Sequence, residues 1–138
     1  MQVVVHSSLS TIAAADWNAL VGEANPFLRY EFLQALEEHD CLQPWGWLPQ
    51  HLCVFEDERL VGAAPMYLKD NSYGEFVFDM AWAQAYARHG LQYYPKLVVA
   101  VPYTPVTGQR LLVDAAHPKA ALIRQALHEG ALSHAKQL

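Results

Sequence analysis

The sequence has few charges, few cysteines and no long apolar run in its 138 residues. Charged residues make up 17% of the chain and hydrophobic residues 53%, which excludes an intrinsically disordered protein. The two cysteines, Cys41 and Cys53, are too few for a disulfide framework. The longest apolar stretches are far shorter than the ~20 residues of a membrane-spanning helix. We therefore expect one folded domain that does not insert into a membrane.

Basic residues are also scarce, since nine Lys and Arg stand against 14 Asp and Glu, for a net charge of −5. Nucleic-acid binding depends on clustered Lys and Arg, so we expect no nucleic-acid partner. Residues 1–6 lack the basic segment and the long apolar segment of a secretory leader. The expectation is a cytoplasmic protein with reduced cysteines.

The hydrophobic pattern predicts an α+β (mixed α/β) domain with a mostly antiparallel sheet flanked by helices. A β-branched run at residues 3–5 predicts the first strand. Helices are predicted over residues 13–21, capped by Ser10 or Thr11, and from Asn25-Pro26 to about Glu38. Residues 41–50 contain two prolines and one glycine, which indicates a loop with two partly buried tryptophans.

The middle of the chain has the pattern of an antiparallel hairpin, with strands 51–56 and 59–69 around a polar turn. Pro65 indicates an edge or a bulge in the second strand. Later elements are a short aromatic strand or extended segment over 75–78, a helix over 80–88, strands over 96–101 and 110–113, and a last helix. This helix is predicted to open at His117-Pro118 and to end near Lys136.

Aromatic residues are concentrated between Tyr73 and Tyr103, where eight of the chain's 16 aromatic residues lie. One interpretation is core packing, since Trp82 and Tyr86 lie four residues apart and share a helix face. The other is a ligand cleft, in which aromatic walls hold a ligand and a few polar side chains orient it. The sequence leaves both interpretations open.

Four charged residues in this half of the chain each have a structural and a functional interpretation. Asp79 can cap the following helix, or it can act with Glu75 as a general base or substrate contact beside desolvating aromatic rings. Lys96 and Arg110 are either exposed charges at strand ends or ligands for phosphate or carboxylate groups.

The seven histidines do not have the spacing of a metal site. His51 and Cys53 lie on one strand face, but no CxxC or HExxH motif occurs, so no metal is expected. Cys53 is predicted to be a small buried hydrophobic residue rather than a nucleophile.

An ordered set of motifs covers about residues 9–113. Its members are Asn25-Pro26-Phe27-Leu28, Leu60–Lys69, Tyr73–Asp79, Trp82-Ala83, Ala85-Tyr86, Tyr93–Leu97 and Val101–Arg110. Through these motifs the sequence resembles the FemAB-like family of bacterial GNAT-type acyltransferases, which is labelled as peptidoglycan biosynthesis or recognition. The resemblance implies one GNAT-like (acyl-CoA N-acyltransferase-like) domain over residues 1–138, similar to the first half of a tandem-GNAT protein.

The resemblance also implies a function. We expect the N-terminal, substrate-binding half of an acyl or aminoacyl transferase that acts on a cell-wall precursor or another amine acceptor. The acceptor would be a small molecule or a muropeptide-like molecule, and the missing C-terminal half would be needed for activity, with catalytic residues unassigned. The expected substrate contacts are Tyr73, Glu75, Asp79, Trp82, Tyr94, Lys96, Thr104 and Arg110.

Acyl-CoA sites of GNAT enzymes use a glycine-rich turn that opens a helix. The corresponding segment, 98–110, contains only Gly108, while Pro102 and Pro105 remove two N–H donors. We therefore expect no cofactor in this chain, although the resemblance allows acyl-CoA or aminoacyl-tRNA for full-length family members. If a cofactor binds here, Thr107, Gly108 and Gln109 are the residues expected to hold it.

A second hypothesis comes from the high hydrophobic content of 53%. It predicts a non-catalytic binding or interaction module that pairs through an exposed apolar surface, either with a C-terminal GNAT half or as a homodimer.

Overall fold

Seven strands and four α-helices lie within residues 1–77 and 79–138, which is the part of the chain that the computed structural model describes. The result is a mixed α+β domain, as the sequence predicted. Its strands are β1 (Gln2–His6), β2 (Leu48–Pro49), β3 (His51–Glu56), β4 (Arg59–Ala64), β5 (Met66–Lys69), β6 (Lys96–Val99) and β7 (Leu112–Val113). Its α-helices are α1 (Ala14–Val21), α2 (Tyr30–Glu38), α3 (Met80–Arg88) and α4 (Ala120–Lys136).

The first sheet has the strand order β1-β3-β4-β7, and all its pairs are antiparallel. The predicted hairpin is confirmed, since β3 pairs with β4 from Leu52↔Ala64 to Glu56↔Arg59. Asp57 and Glu58 form its turn with φ values of 50° and 66°. Two successive positive φ values match the twist of the flanking strands.

The predicted strand over residues 59–69 is wrong, because Pro65 divides it into β4 and β5. Pro65 has no N–H to donate to a ladder, and the chain passes there from the first sheet to the second. The second sheet has the order β2-β5-β6 and is also antiparallel. Pro65 is thus the point of transfer between two sheets rather than an edge or bulge within one.

Hydrophobic residues pack on both faces of the first sheet. On one face, Trp17 of α1 and Leu33 of α2 pack with Cys53 and Ala63. On the other face, Ile123 and Leu127 of α4 pack with alternate residues of β3 and β4, among them Leu52 and Val54. Successive strand residues point to opposite faces, so one hairpin contributes to both cores.

Several predicted element ends differ from the structure. Ser10 and Thr11 do not cap α1, since they belong to a 3₁₀ helix, Leu9–Thr11, whose cap is Ser8. The Asn25 side chain caps a second short 3₁₀ helix, Pro26–Leu28. The chain is extended at Arg29, with ψ of 149°, so α2 begins only at Tyr30.

Other differences lie in the loops and at the C-terminal end. Residues 41–50 contain a 3₁₀ helix, Gln43–Trp45, and strand β2. Trp47 is buried and Trp45 is 61% exposed, so the expectation of two partly buried tryptophans is wrong. Strands β6 and β7 are shorter than predicted, α4 begins two residues after Pro118, and residues 75–77 form no strand. Phe78, the end of the predicted extended segment, lies outside the described residues. No helix within residues 1–77 and 79–138 has the length and hydropathy of a transmembrane span.

Candidate functional site

Two lysines lie directly opposite each other at the end of the second sheet. The β5–β6 ladder ends with the pair Lys69↔Lys96. The Lys69 side chain is fully buried and the Lys96 side chain is 14% exposed. Like charges directly opposite in a sheet are destabilising, so this arrangement requires acidic partners.

Glu75 and Asp79 supply the negative charge from the segment that follows β5. The Glu75 carboxylate lies between the lysines, with Oε2 3.5 Å from Lys69 Nζ and Oε1 2.9 Å from Lys96 Nζ. Asp79 Oδ2 lies 2.6 Å from Lys96 Nζ. We call Lys69, Glu75, Asp79 and Lys96 the charge cluster. Its charges balance, so Lys96 has no free charge for an anionic ligand.

Hydrogen bonds determine the charge state of Asp79. Tyr93 donates its hydroxyl to Asp79 Oδ2 at 2.6 Å, in addition to the bond from Lys96. Burial by itself would raise the pKa of Asp79, but the hydrogen bonds from Lys96 and Tyr93 outweigh it and lower the pKa to about 2. The same bond to Asp79 raises the pKa of Tyr93 to about 12.

The prediction that the Asp79 side chain caps the following helix is therefore wrong. Helix α3 begins at the next residue, but the Asp79 side chain makes no capping hydrogen bond. Its Oδ2 atom is occupied by Lys96 and Tyr93 instead.

The two lysines have opposite pKa shifts. Burial lowers the pKa of Lys69, against the attraction of Glu75. Lys69 donates to the backbone carbonyl of Tyr73 and lies 4.0 Å from the ring centroid of Trp47. For Lys96, burial acts in the same direction, but hydrogen bonds to Asp79 and Glu75 prevail and raise its pKa.

A pocket of about 460 Å³ adjoins the charge cluster, and we call it the aromatic pocket. Its wall consists of the segment 70–74 together with Phe76, Val77, Asp79, Met80 and Tyr94. Asp79 Oδ1 is buried and has no hydrogen-bond partner among the described residues. The Tyr94 hydroxyl lies 2.6 Å from Ser72 Oγ, which accepts a hydrogen bond from Lys96. The pocket thus combines apolar walls with an ionised acceptor, which suits a ligand that donates N–H groups.

The structure brings together five of the eight expected substrate contacts. Tyr73, Asp79 and Tyr94 line the aromatic pocket, and Lys96 donates to both Asp79 and Glu75. Phe78, one of the aromatic residues behind the cleft hypothesis, is not among the described residues.

The other three expected contacts lie elsewhere. Trp82 is 67% exposed on α3, which also excludes its assignment to a core. Thr104 donates to the Pro102 carbonyl, and Arg110 donates to the carbonyls of Val106 and Gln109. None of the three lines the aromatic pocket.

The model of a protein family described as FemAB-like, peptidoglycan biosynthesis/recognition, matches residues 8–138. The chain belongs to the FemAB-like family. Membership associates it with peptidoglycan biosynthesis or recognition, and the matched region includes the charge cluster and the aromatic pocket. Comparison of this FemAB-like chain with curated proteins and with solved structures gave no match.

The residues expected to hold a cofactor are in a different part of the FemAB-like chain. Thr107, Gly108 and Gln109 line a second cavity of about 540 Å³ together with residues 24–28. Val106 and Leu112 follow them along its wall. The segment opens no helix, so it lacks the helix N-terminus of an acyl-CoA site.

Sequence reasoning missed a largely buried hydrogen bond between Glu37 and His51. His51 Nε2 lies 2.8 Å from Glu37 Oε2, and the Met66 N–H donates to His51 Nδ1. The proton of this histidine is thereby placed on Nε2, towards Glu37. The Leu9 N–H and the Ser8 hydroxyl donate to Glu37 Oε1, so the pair links α2 to both sheets and to the chain after β1. No sequence motif connects residues 37 and 51.

Sequence-based predictions also concern the cysteine Cys53 and the candidate metal ligands of the FemAB-like chain. Burial raises the pKa of Cys53 to about 12, which agrees with its prediction as a buried hydrophobic residue. Within the described residues, no three His, Cys, Asp or Glu side chains are grouped so that they could hold a metal ion.

Proposed function

We propose that this FemAB-like chain binds the peptide of a peptidoglycan precursor, or a similar amine acceptor, in the aromatic pocket. It would thereby supply the substrate-binding part of an acyl or aminoacyl transferase. The observation that carries this proposal is the ionised Asp79 carboxylate in the wall of the pocket, whose Oδ1 atom has no hydrogen-bond partner among the described residues.

The size and the walls of the pocket support a peptide-like ligand. A volume of about 460 Å³ lies within the range of small-molecule sites. Tyr73, Phe76, Val77 and Met80 are all more than half exposed, so they offer apolar contact area to a ligand. An aromatic wall of this kind suits the aliphatic parts of amino-acid side chains.

The charges support recognition of an amine or amide N–H. The negative charge of the Asp79 carboxylate attracts the N–H groups of a ligand in the pocket, while Lys96 and Tyr93 hold the carboxylate through Oδ2. A carboxylate whose pKa is about 2 is a weak base, so Asp79 orients the amine and does not remove its proton. The base, the acyl donor site and the oxyanion donors would come from a second GNAT-like half, and a cytoplasmic location stays a prediction.

Titration calorimetry with a soluble muropeptide that carries a free side-chain amine tests this proposal. Asp79→Asn removes the charge and keeps the shape, so it should weaken binding about tenfold or more. Acetylation of the ligand's amine should weaken its binding to the wild-type chain to a similar extent.

The matched control is Asp57→Asn. Residue 57 lies in the turn between β3 and β4, outside the aromatic pocket, and its positive φ is one that asparagine tolerates. This variant should bind the muropeptide like the wild type. Equal affinities of the wild type and a folded Asp79→Asn variant, or no binding of the muropeptide, would contradict the proposal.

The surface of α3 favours a second candidate function, a non-catalytic module that forms a homodimer. No residue of α3 is buried, and a nine-residue helix is not stable in water by itself. The exposed parts of Tyr73, Phe76, Trp82 and Tyr86 present roughly 450 Å² of aromatic surface. This is more than half of the ~800 Å² that a stable interface buries on each partner. Residues 80–91 contain no acidic residue, so two copies of this acidic chain can meet there without bringing carboxylates together.

A further inference from the structure

The second cavity differs from the aromatic pocket in its chemistry. Its walls are mostly apolar, with Val21, Phe27 and Leu112 among the residues that line it. Its polar side chains are those of Asn25, Thr107 and Gln109, and no acidic residue lines it. A volume of about 540 Å³ is enough for a small organic ligand.

The exposed loop of residues 107–109 lines this cavity and supplies backbone N–H groups that can donate to a ligand. Within the described residues, none of the backbone N–H groups of Thr107, Gly108 and Gln109 donates a hydrogen bond. Asn25 uses its Oδ1 atom to accept from the Phe27 N–H. Its amide nitrogen lies 2.5 Å from where a Cβ on Gly108 would stand, so the donor is packed against the loop.

Arg110 adds a positive charge beside these donors. Its guanidinium donates to the carbonyls of Val106 and Gln109, which fixes it under the loop. Those bonds use two of its five N–H groups. Among the described residues, no carboxylate forms an ion pair with Arg110. Its Nη1 atom lies 3.4 Å from the Cβ position of Gly108, next to the cavity wall.

We propose that this cavity binds an amphipathic anion, a molecule with an apolar chain or ring that ends in a carboxylate or a phosphate. The apolar part packs between Val21, Phe27 and Leu112. The anionic end accepts hydrogen bonds from the N–H groups of residues 107–109 and is attracted by Arg110. This site is separate from the aromatic pocket and does not depend on the function proposed there.

An amide NMR titration of the full chain tests the proposal with four ten-carbon probes used below their micelle concentrations. Decanoate and decyl phosphate should shift the amide signals of residues 107–109, and the tighter of the two identifies the anionic group. Decanol and decyltrimethylammonium have the same apolar chain but no anionic group, and their affinity should be lower by about tenfold or more.

Two variants and one control locate the binding. Arg110→Met should weaken binding of the better anion about tenfold, whereas Arg124→Met, at an exposed position of α4, should leave it unchanged. Ala24→Trp places an indole at the exposed rim of the cavity and should block both anions without altering Arg110.

Three results would overturn the proposal. They are the absence of shifts with both anions, equal affinity for decanol and decanoate, and wild-type affinity in the Ala24→Trp variant. Should Arg110→Met fail to fold, the comparison of the four probes and the Ala24→Trp variant still decide.

Discussion

At the scale of single residues, the competition between burial and hydrogen bonding decides the chemistry of the charge cluster. Asp79 and Lys96 are similarly buried, with side chains 15% and 14% exposed. Burial shifts the pKa of each group towards the neutral form, but hydrogen bonding, including the bond between the two groups, outweighs burial in both. Lys69 lacks such a close partner, since Glu75 is 3.5 Å away, and there burial prevails and lowers the pKa.

Acid stability follows from the lowered pKa of Asp79. The folded-state pKa is about 2 and the ordinary value is 3.8, so the stabilisation is present above pH 3.8 and is lost as the pH falls towards 2. A shift of this size corresponds to on the order of 2 kcal/mol in the free energy of unfolding. Urea titrations at a series of pH values should show this loss in the wild type.

The Asp79→Asn variant should lack that part of the pH dependence and be less stable at pH 7 by a similar amount. Asp57→Asn should follow the wild-type curve. Parallel curves for the wild type and Asp79→Asn below pH 3.8 would show that the charge cluster does not contribute to stability in this way.

At the scale of elements, close approach between α4 and β4 determines how the second core forms. Gly62 lies on β4, and a Cβ there would stand 2.5 Å from Ile123 Cγ2 of α4. Ile123 is fully buried, so it has no free space to move into. The absence of a side chain at residue 62 therefore sets the distance between helix and sheet.

Gly62→Ala should lower the free energy of unfolding by about 1–3 kcal/mol, because it overpacks this contact. The matched variant is Gly130→Ala, on α4, where the new Cβ would lie 2.9 Å from Val3 Cγ1. Val3 is 40% exposed and can move, and alanine favours the helix by about 1 kcal/mol, so the loss should be smaller or absent. Equal losses in urea unfolding would contradict this account of the helix–sheet distance.

At the scale of the whole molecule, each of the two candidate sites is associated with a different sheet. The charge cluster and the aromatic pocket lie at the end of the β5–β6 ladder of the second sheet. The second cavity includes Leu112 of β7, the edge strand of the first sheet. The two sites share no lining residue, so variants of one site should leave ligand binding at the other unchanged.

Sedimentation equilibrium tests the association expected from the exposed surface of α3. The average mass of the wild-type chain should rise with concentration towards that of a dimer, and Trp82→Glu should abolish the rise. Trp45→Glu is the matched control, because Trp45 is 61% exposed and Trp82 is 67% exposed. A wild-type mass that stays monomeric at all concentrations, or an equal effect of both variants, would exclude a homodimer through α3.

The sequence by itself determined the α+β class, the hairpin around residues 57–58 and the helices over residues 14–21 and 80–88. These features depend on local periodicity and turn residues, which neighbouring positions encode. The motifs also indicated the FemAB-like family, and the aromatic-rich region from Tyr73 to Tyr103 contains most of the charge cluster and of the aromatic pocket.

Only the tertiary structure decided which side chains meet. In the structure, Pro65 divides the predicted strand 59–69, and Lys69 pairs with Lys96 in the second sheet. The Asp79 side chain accepts hydrogen bonds from Lys96 and Tyr93 and does not cap its helix. The tertiary structure also joined Glu37 to His51 and left Arg110 beside a second cavity. These contacts connect residues far apart in the chain, and their energies depend on burial and distance, which no local pattern contains.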